Sequence, residues 1–216
     1  MAEELYNNLK QAVIEGESED AEKFAKEALD QKVDPLKCIN LGLMPGIKEV
    51  GDLFSKGDYF LPELIMGADA MKAALEILEP ALVGGQERDV VGRVVLGTVE
   101  GDLHEIGKTL VGTMLTANGF QVTDIGVDQT AEAFIKAVEE NNADIVGASA
   151  LLTTTMLQQK KLIEALEGAG LRDKVKVMIG GAPVTERYAE EIGADGYAED
   201  AISSVDIAYR LMDAPV

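Results

Sequence analysis

The sequence predicts a helical module followed by a doubly wound, flavodoxin/Rossmann-like module built on a five-stranded parallel sheet, an α + α/β fold. Three observations lead there. Residues 1 to about 83 repeat apolar positions at helical spacing and hold no convincing strand. From Val90 onward, short runs alternate with amphipathic stretches to the end of the chain. Those runs are nearly all apolar, as strands are when both faces of a parallel sheet are covered.

Taken in order, Leu5, Leu9, Val13 and Ile14 line one face of a first helix. Ser18 caps a second, with Glu19, Asp20 and Glu22 in the first turn where the helix dipole favours acids, and this helix runs to about Gln31. Asp34-Pro35 repeats the start signal, a capping side chain before a proline at the first helical position. Pro45-Gly46 should kink or interrupt that third helix before it resumes through Val50 and Phe54. Gly57-Asp58 turns the chain, and Leu61-Pro62-Glu63 starts a fourth helix that carries Leu64, Ile65, Met71, Leu75 and Leu78 to Glu79-Pro80. Four helices on short connections predict a four-helix bundle over residues 1–88, with Val83–Asp89 as linker.

The second domain, residues 89–216, reads as strand Val91–Val99, helix Glu105–Asn118, strand Gln121–Ile125, helix Ala131–Glu140 and strand Asp144–Ala148. Helix Thr153–Ala169, strand Val175–Ile179, helix Thr185–Ile192, strand Gly196–Tyr197 and a last helix from about Ala201 complete it.

Composition removes several classes. With 39 acids against 19 bases the chain carries a formal charge of −20, the opposite of the basic footprint that nucleic acid demands. No apolar run approaches the ~20 residues of a membrane span. Cys38 is the lone cysteine, so neither a disulfide framework nor a cysteine metal cluster is expected. The acidic start Met-Ala-Glu-Glu-Leu lacks the basic and apolar regions of a signal peptide, which predicts a cytoplasmic protein.

The chemistry concentrates after the first strand, in Gly101-Asp102-Leu103-His104-Glu105-Ile106-Gly107, where the sole histidine of 216 residues sits. Open α/β sheets bind ligands at the C-terminal ends of their strands. A carboxylate two positions from an imidazole can accept a hydrogen bond from one ring nitrogen and leave the other as a base or metal ligand. Spacing alone also fits an ordinary loop histidine beside a surface aspartate. Gly101 to Thr109 resembles a phosphate-binding loop, but five residues separate its glycines where four are required, and Asp102 would repel phosphates. No Gly-x-Gly-x-x-Gly follows a strand, Ser149 is not in a nucleophile elbow, and Ala148-Ser149 stands where a phospho-acceptor aspartate would be needed. Two more stretches fall on the same rim: Gly147-Ala148-Ser149-Ala150-Leu151, leading into Leu152-Thr153-Thr154-Thr155, and Gly180-Gly181-Ala182. Together they give a rim of small hydroxyls and bare backbone, suited to admitting a long polar group.

These residues resemble the cobalamin-binding signature Asp-x-His-x-x-Gly, Ser-x-Leu, Gly-Gly, here Asp102-Leu-His104-Glu-Ile-Gly107, Ser149-Ala-Leu151 and Gly180-Gly181. The first module is similar to the helical cap of cobalamin-dependent methionine synthase and of the small corrinoid proteins, through Asp52-Leu-Phe54 and Tyr59-Phe60-Leu61-Pro62-Glu63. The resemblance covers essentially the whole chain. It implies a corrinoid (cobalamin or a relative) with His104 as the lower axial ligand of cobalt and Asp102 hydrogen-bonded to its far nitrogen. Thr155 stands where methionine synthase completes that relay with a serine. Gly107 completes the first motif, and Ser149, Leu151, Thr153, Gly180 and Gly181 would line a channel for the displaced nucleotide tail. Phe54, Phe60, Leu61, Met66 and Met71 are candidates to cover the upper corrin face, with bundle core as the alternative for each.

With a cap, a corrinoid module and little else, the chain looks like the free-standing corrinoid protein of a three-component methyltransferase system. The resemblance then implies a methyl carrier that cycles between cob(I)alamin and methylcob(III)alamin. A donor-specific methyltransferase would supply the methyl group and an acceptor methyltransferase remove it, with a reductive activase as a further partner. The wording around Ser149–Met156 and Gly180–Thr185 looks most like proteins serving methylamines or quaternary amines such as glycine betaine, with methanol systems as close relatives. A cobalamin storage or sensing module is the alternative of a different class.

Overall fold

The computed structural model describes residues 2–82 and 90–214, and the expected linker at Val83–Asp89 lies outside them. The chain divides into two units, Met1–Asp89 with Thr116–Gly119, and Val90–Leu115 with Phe120–Val216. Among the described residues no helix is long and apolar enough to cross a membrane.

The first unit is helical, as the apolar spacing predicts. Helix α1 (Ala2–Glu15) buries Leu5, Leu9 and Val13, and Ile14 is half-buried. Gly16, at φ 72°, ends it in a Schellman turn, with Glu17 N–H on Ala12 O and Gly16 N–H on Val13 O. That turn leads straight into α2 (Ser18–Asp30), so Ser18 is the first helical residue and not the cap expected from its side chain; Glu17 holds the cap position without a side-chain bond. Helix α2, which buries Ala21, Ala25 and Ala28, packs against α5 (Leu61–Leu78), whose buried residues include Ala70 and Ala74. Small side chains on both partners let two helices pack closely.

The third helix is broken, though not at Pro45-Gly46 itself. It runs as α3 (Pro35–Cys38), a π-helical turn Ile39–Leu43, and α4 (Met44–Lys56). Asp34 Oδ1 caps α3 by accepting Leu36 N–H at 3.0 Å. In the wide turn Met44 N–H bonds to Ile39 O, five residues back. Pro45 has no N–H for the carbonyl of Leu41, so the ladder changes step just before it. Of the candidate roof residues, Met71 is bundle core, Phe54 and Leu61 are half-buried, and Phe60 and Met66 are exposed.

The second unit is a five-stranded parallel sheet in the order β2-β1-β3-β4-β5, from β1 (Arg93–Thr98), β2 (Gln121–Asp124), β3 (Ile145–Ser149), β4 (Lys176–Gly180) and β5 (Gly196–Ala198). Val95, Val146 and Val177 pack with Phe134 of α7 (Ala131–Asn141), Leu162 and Leu166 of α8 (Met156–Gly168) and Ile192 of α9 (Glu186–Ile192). The opposite face carries α6 (Ile106–Ala117), whose Gly112 lies against Leu96, and α10 (Ala201–Leu211), whose Ile207 lies against Gly196. The chain leaves β1 in one direction for β2 and returns past it to β3. The loops after β1 and β3 therefore diverge, and the switch point lies between them.

Helix α8 begins at Met156 and not at Thr153. The preceding residues form a turn, with Thr155 N–H on Leu152 O, while Leu151 and Leu152 N–H donate to Asp102.

Candidate functional site

The loop after β1 is held at several points. Val99 N–H bonds to Ser149 O, Asp102 N–H to Val99 O, and Asp128 Oδ1 accepts Gly101 N–H at 2.7 Å. Thr98 Oγ1 donates to His104 O at 2.8 Å. These bonds turn the Asp102 carboxylate inward, where it is fully buried.

Five donors meet that carboxylate. Oδ1 takes His104 Nδ1 at 2.6 Å and His104 N–H at 3.2 Å. Oδ2 takes the Thr155 hydroxyl at 2.7 Å, Leu151 N–H at 2.8 Å and Leu152 N–H at 3.3 Å. The last three come from the loop after β3, so one carboxylate spans both sides of the switch point. Burial by itself would raise the Asp102 pKa, but hydrogen bonds from Thr155, His104 and Leu151 outweigh it and hold the group well below the usual carboxylate range.

An ionised carboxylate only accepts, so Nδ1 of a neutral His104 carries the proton and Nε2 keeps its lone pair. The ring is 50% exposed. It is fixed on one side and open on the other, a geometry that offers a single coordination bond. Among the described residues no group of three or more His, Cys, Asp or Glu could hold a metal ion.

His104 opens on a cleft of about 660 Å³ between the strand ends. The structure brings His104, Gly107, Ser149, Leu151, Gly180 and Gly181 together along it. Asp102 and Thr155 stand buried behind the imidazole. Thr153 is exposed in the turn and is not among the residues lining the cleft.

The glycines differ in what requires them. A Cβ on Gly107 would meet nothing within 4 Å, so this position borders open space. A Cβ on Gly181 would lie 1.9 Å from Ala150 O, and its φ is +126°. Gly180 is limited by Ala198 O at 3.0 Å. Neighbouring backbone excludes a side chain at Gly181 and crowds one at Gly180, a reason the motif does not reveal.

The cleft also takes Lys108, Glu199, Asp200 and Ser204, which the sequence reading missed. Lys108 is buried and paired with Asp124. Glu199 and Asp200 follow β5, and the rule that points to the other strand ends would have found them there.

The family model described as "B12 binding domain" matches residues 92–206, and a second of the same description matches residues 5–79. A corrinoid protein of Desulfitobacterium hafniense is 46% identical over 96% of this chain and 97% of its own. Dimethylamine corrinoid protein 1 of Methanosarcina mazei is 46% identical over 97% of each chain. Among solved structures, a methanol:cobalamin methyltransferase complex from Methanosarcina barkeri contains a chain that superposes with a TM-score of 0.87 at 32% identity. The match covers 99% of this chain and 81% of that one.

Proposed function

The chain belongs to the corrinoid protein family, and from that premise we propose that it is a methyl carrier, accepting a methyl group from one methyltransferase and presenting it to another. The observation that carries the proposal is the relay: a half-exposed imidazole fixed at 2.6 Å by a buried, ionised carboxylate at the mouth of a long cleft.

The residues present fit a corrinoid. His104 would hold the cobalt through its free Nε2, with Asp102 fixing the ring behind it. Gly107 leaves space where any side chain would intrude. Ser149, Leu151, Gly180 and Gly181 would flank the nucleotide tail. When bound, the corrinoid supplies a cobalt centre able to take up and release a methyl group; the protein sets ligation, access and docking.

Asp102 has two tasks in this reading. It orients the ring and, through the Nδ1–H bond, raises the basicity of Nε2. The donors from Thr155, Leu151 and Leu152 draw on the same carboxylate and temper that effect.

Two of the similar proteins are named for dimethylamine and for methanol. A methylated amine is the donor class we assign to the first methyltransferase, with a thiol or pterin as final acceptor and a reductive activase as a further partner. The test is the visible spectrum of the cobalamin-loaded protein, wild type against His104→Ala. Wild type should give the spectrum of corrinoid with histidine in place of its own base, and the variant should lose it. An unchanged spectrum in the variant would overturn the proposal.

A further inference from the structure

Gln159 is a fully buried polar side chain on α8, one helical turn after Thr155. Its Nε2 donates to Ala148 O at 2.9 Å and to Gly180 O at 3.1 Å. Those carbonyls belong to different strands, β3 and β4. Both residues line the cleft themselves, Ala148 with Ser149 and Leu151 on one wall and Gly180 with Gly181 and Ala182 on the other.

The other end of the amide is unsatisfied. Gln159 Oε1 is buried and has no hydrogen-bond partner among the described residues. An orphaned buried acceptor is unfavourable. A methionine of the same length would fill the space without one. What the glutamine adds over such a residue is a pair of donors, one for each wall.

The walls come together at close quarters there. Ala150 N–H also bonds to Gly180 O at 3.1 Å, and the Gly181 backbone leaves no room for a Cβ beside Ala150 O. A small change in the separation of these strand ends alters the cleft between them directly.

We propose that Gln159 is a positioning residue that fixes the spacing of the β3 and β4 walls and thereby makes the cleft selective for corrinoids carrying a lower nucleotide tail. The inference rests on the corrinoid reading above. Gln159 acts through Ala148 and Gly180 and is not itself part of the cleft lining.

The experiment compares the binding of cobalamin and of cobinamide, which lacks the nucleotide, by absorbance titration of wild type and Gln159→Met. Wild type should prefer cobalamin. The variant should bind cobalamin roughly tenfold more weakly, a change of ~1.4 kcal/mol, with cobinamide affinity and melting temperature retained. A purely structural role would weaken both corrinoids alike. An equal loss, or no loss, overturns the proposal, as does a wild type without preference between the two. Gln159→Glu, which turns a carboxylate toward two carbonyls, should lower cobalamin affinity further; if it unfolds, the methionine variant decides. A wild type that binds neither corrinoid sinks the corrinoid reading and this inference with it.

Discussion

Aspartates brace both rims of the parallel sheet, but the two rims use them differently. Where the strands begin, Asp144 Oδ2 accepts Arg93 N–H at 2.7 Å, and Asp195 Oδ2 accepts Val177 N–H at 2.7 Å while pairing with Arg172 at 2.8 Å. The bonds to Arg93 and Val177 N–H satisfy backbone at the beginning of a strand. Where the strands end, Asp102 gathers five donors from two loops, and one of them is a ring whose opposite nitrogen faces outward. The same side chain is a backbone staple at one rim and, under the proposed function, a support for the cobalt ligand at the other. What separates the roles is the last member of each network.

That contrast can be broken most forcefully at Asp102. Asp102→Asn keeps the volume, removes the charge and turns an amide toward donors. We expect a loss of roughly 2–3 kcal/mol in denaturant unfolding at neutral pH, the scale of buried hydrogen bonds to a charged group, together with weakened histidine ligation of cobalamin. The pH dependence has a definite sign. Because the folded-state pKa is depressed, the contribution of Asp102 is complete above its unfolded value, about 3.9, and is lost as pH falls through the folded one. The stability gap between wild type and variant should therefore narrow below about pH 4. A constant gap down to acid pH would show that the charge is not what the network stabilises.

Thr155→Val sharpens the comparison, since it removes the hydroxyl that meets Asp102 and the Leu152 backbone and leaves Asp102 its four other donors. It should cost ~1–2 kcal/mol, and Thr155→Ser should recover most of it. The cobalamin spectrum of the valine variant should shift toward weaker nitrogen ligation. A Thr155→Val protein with wild-type stability and spectrum would remove the hydroxyl from the relay. The smallest effect belongs to the opposite rim. Asp144→Asn retains an oxygen that can accept Arg93 N–H, so stability should change by only about 0.5 kcal/mol and cobalamin binding not at all. Impaired binding there would mean that the two rims are coupled.

The architecture was legible because its signals are redundant. Five apolar runs, separated by helical patterns, leave few topologies for a parallel sheet. The rim that bears His104, Ser149 and Gly180-Gly181 followed from the placement of strand ends. Single-residue geometry was less legible. Ser18 has the side chain of a cap, but the glycine-ended helix before it fixed the chain path first. Thr153 looked helical because nothing in its neighbourhood announces that Leu151, Leu152 and Thr155 lend donors to a carboxylate about fifty residues earlier. Met71 and Met66 are equally apolar, yet one is core and the other exposed. Hydropathy marks a stripe and does not say which of its edges is covered. Gln159 left no trace at all, since a glutamine on a helix reads as surface until its partners are seen.

The half-exposed ring of His104 also makes the protein its own reporter. The 216 residues contain one histidine, so every imidazole resonance in a proton spectrum arises from this site without isotope labelling or assignment. The protonation, rotation and coordination of the ring can be followed through a single pair of signals. A reagent that modifies histidine has one address on the molecule, half open to solvent, and ligands that cover the ring would register as protection of that address.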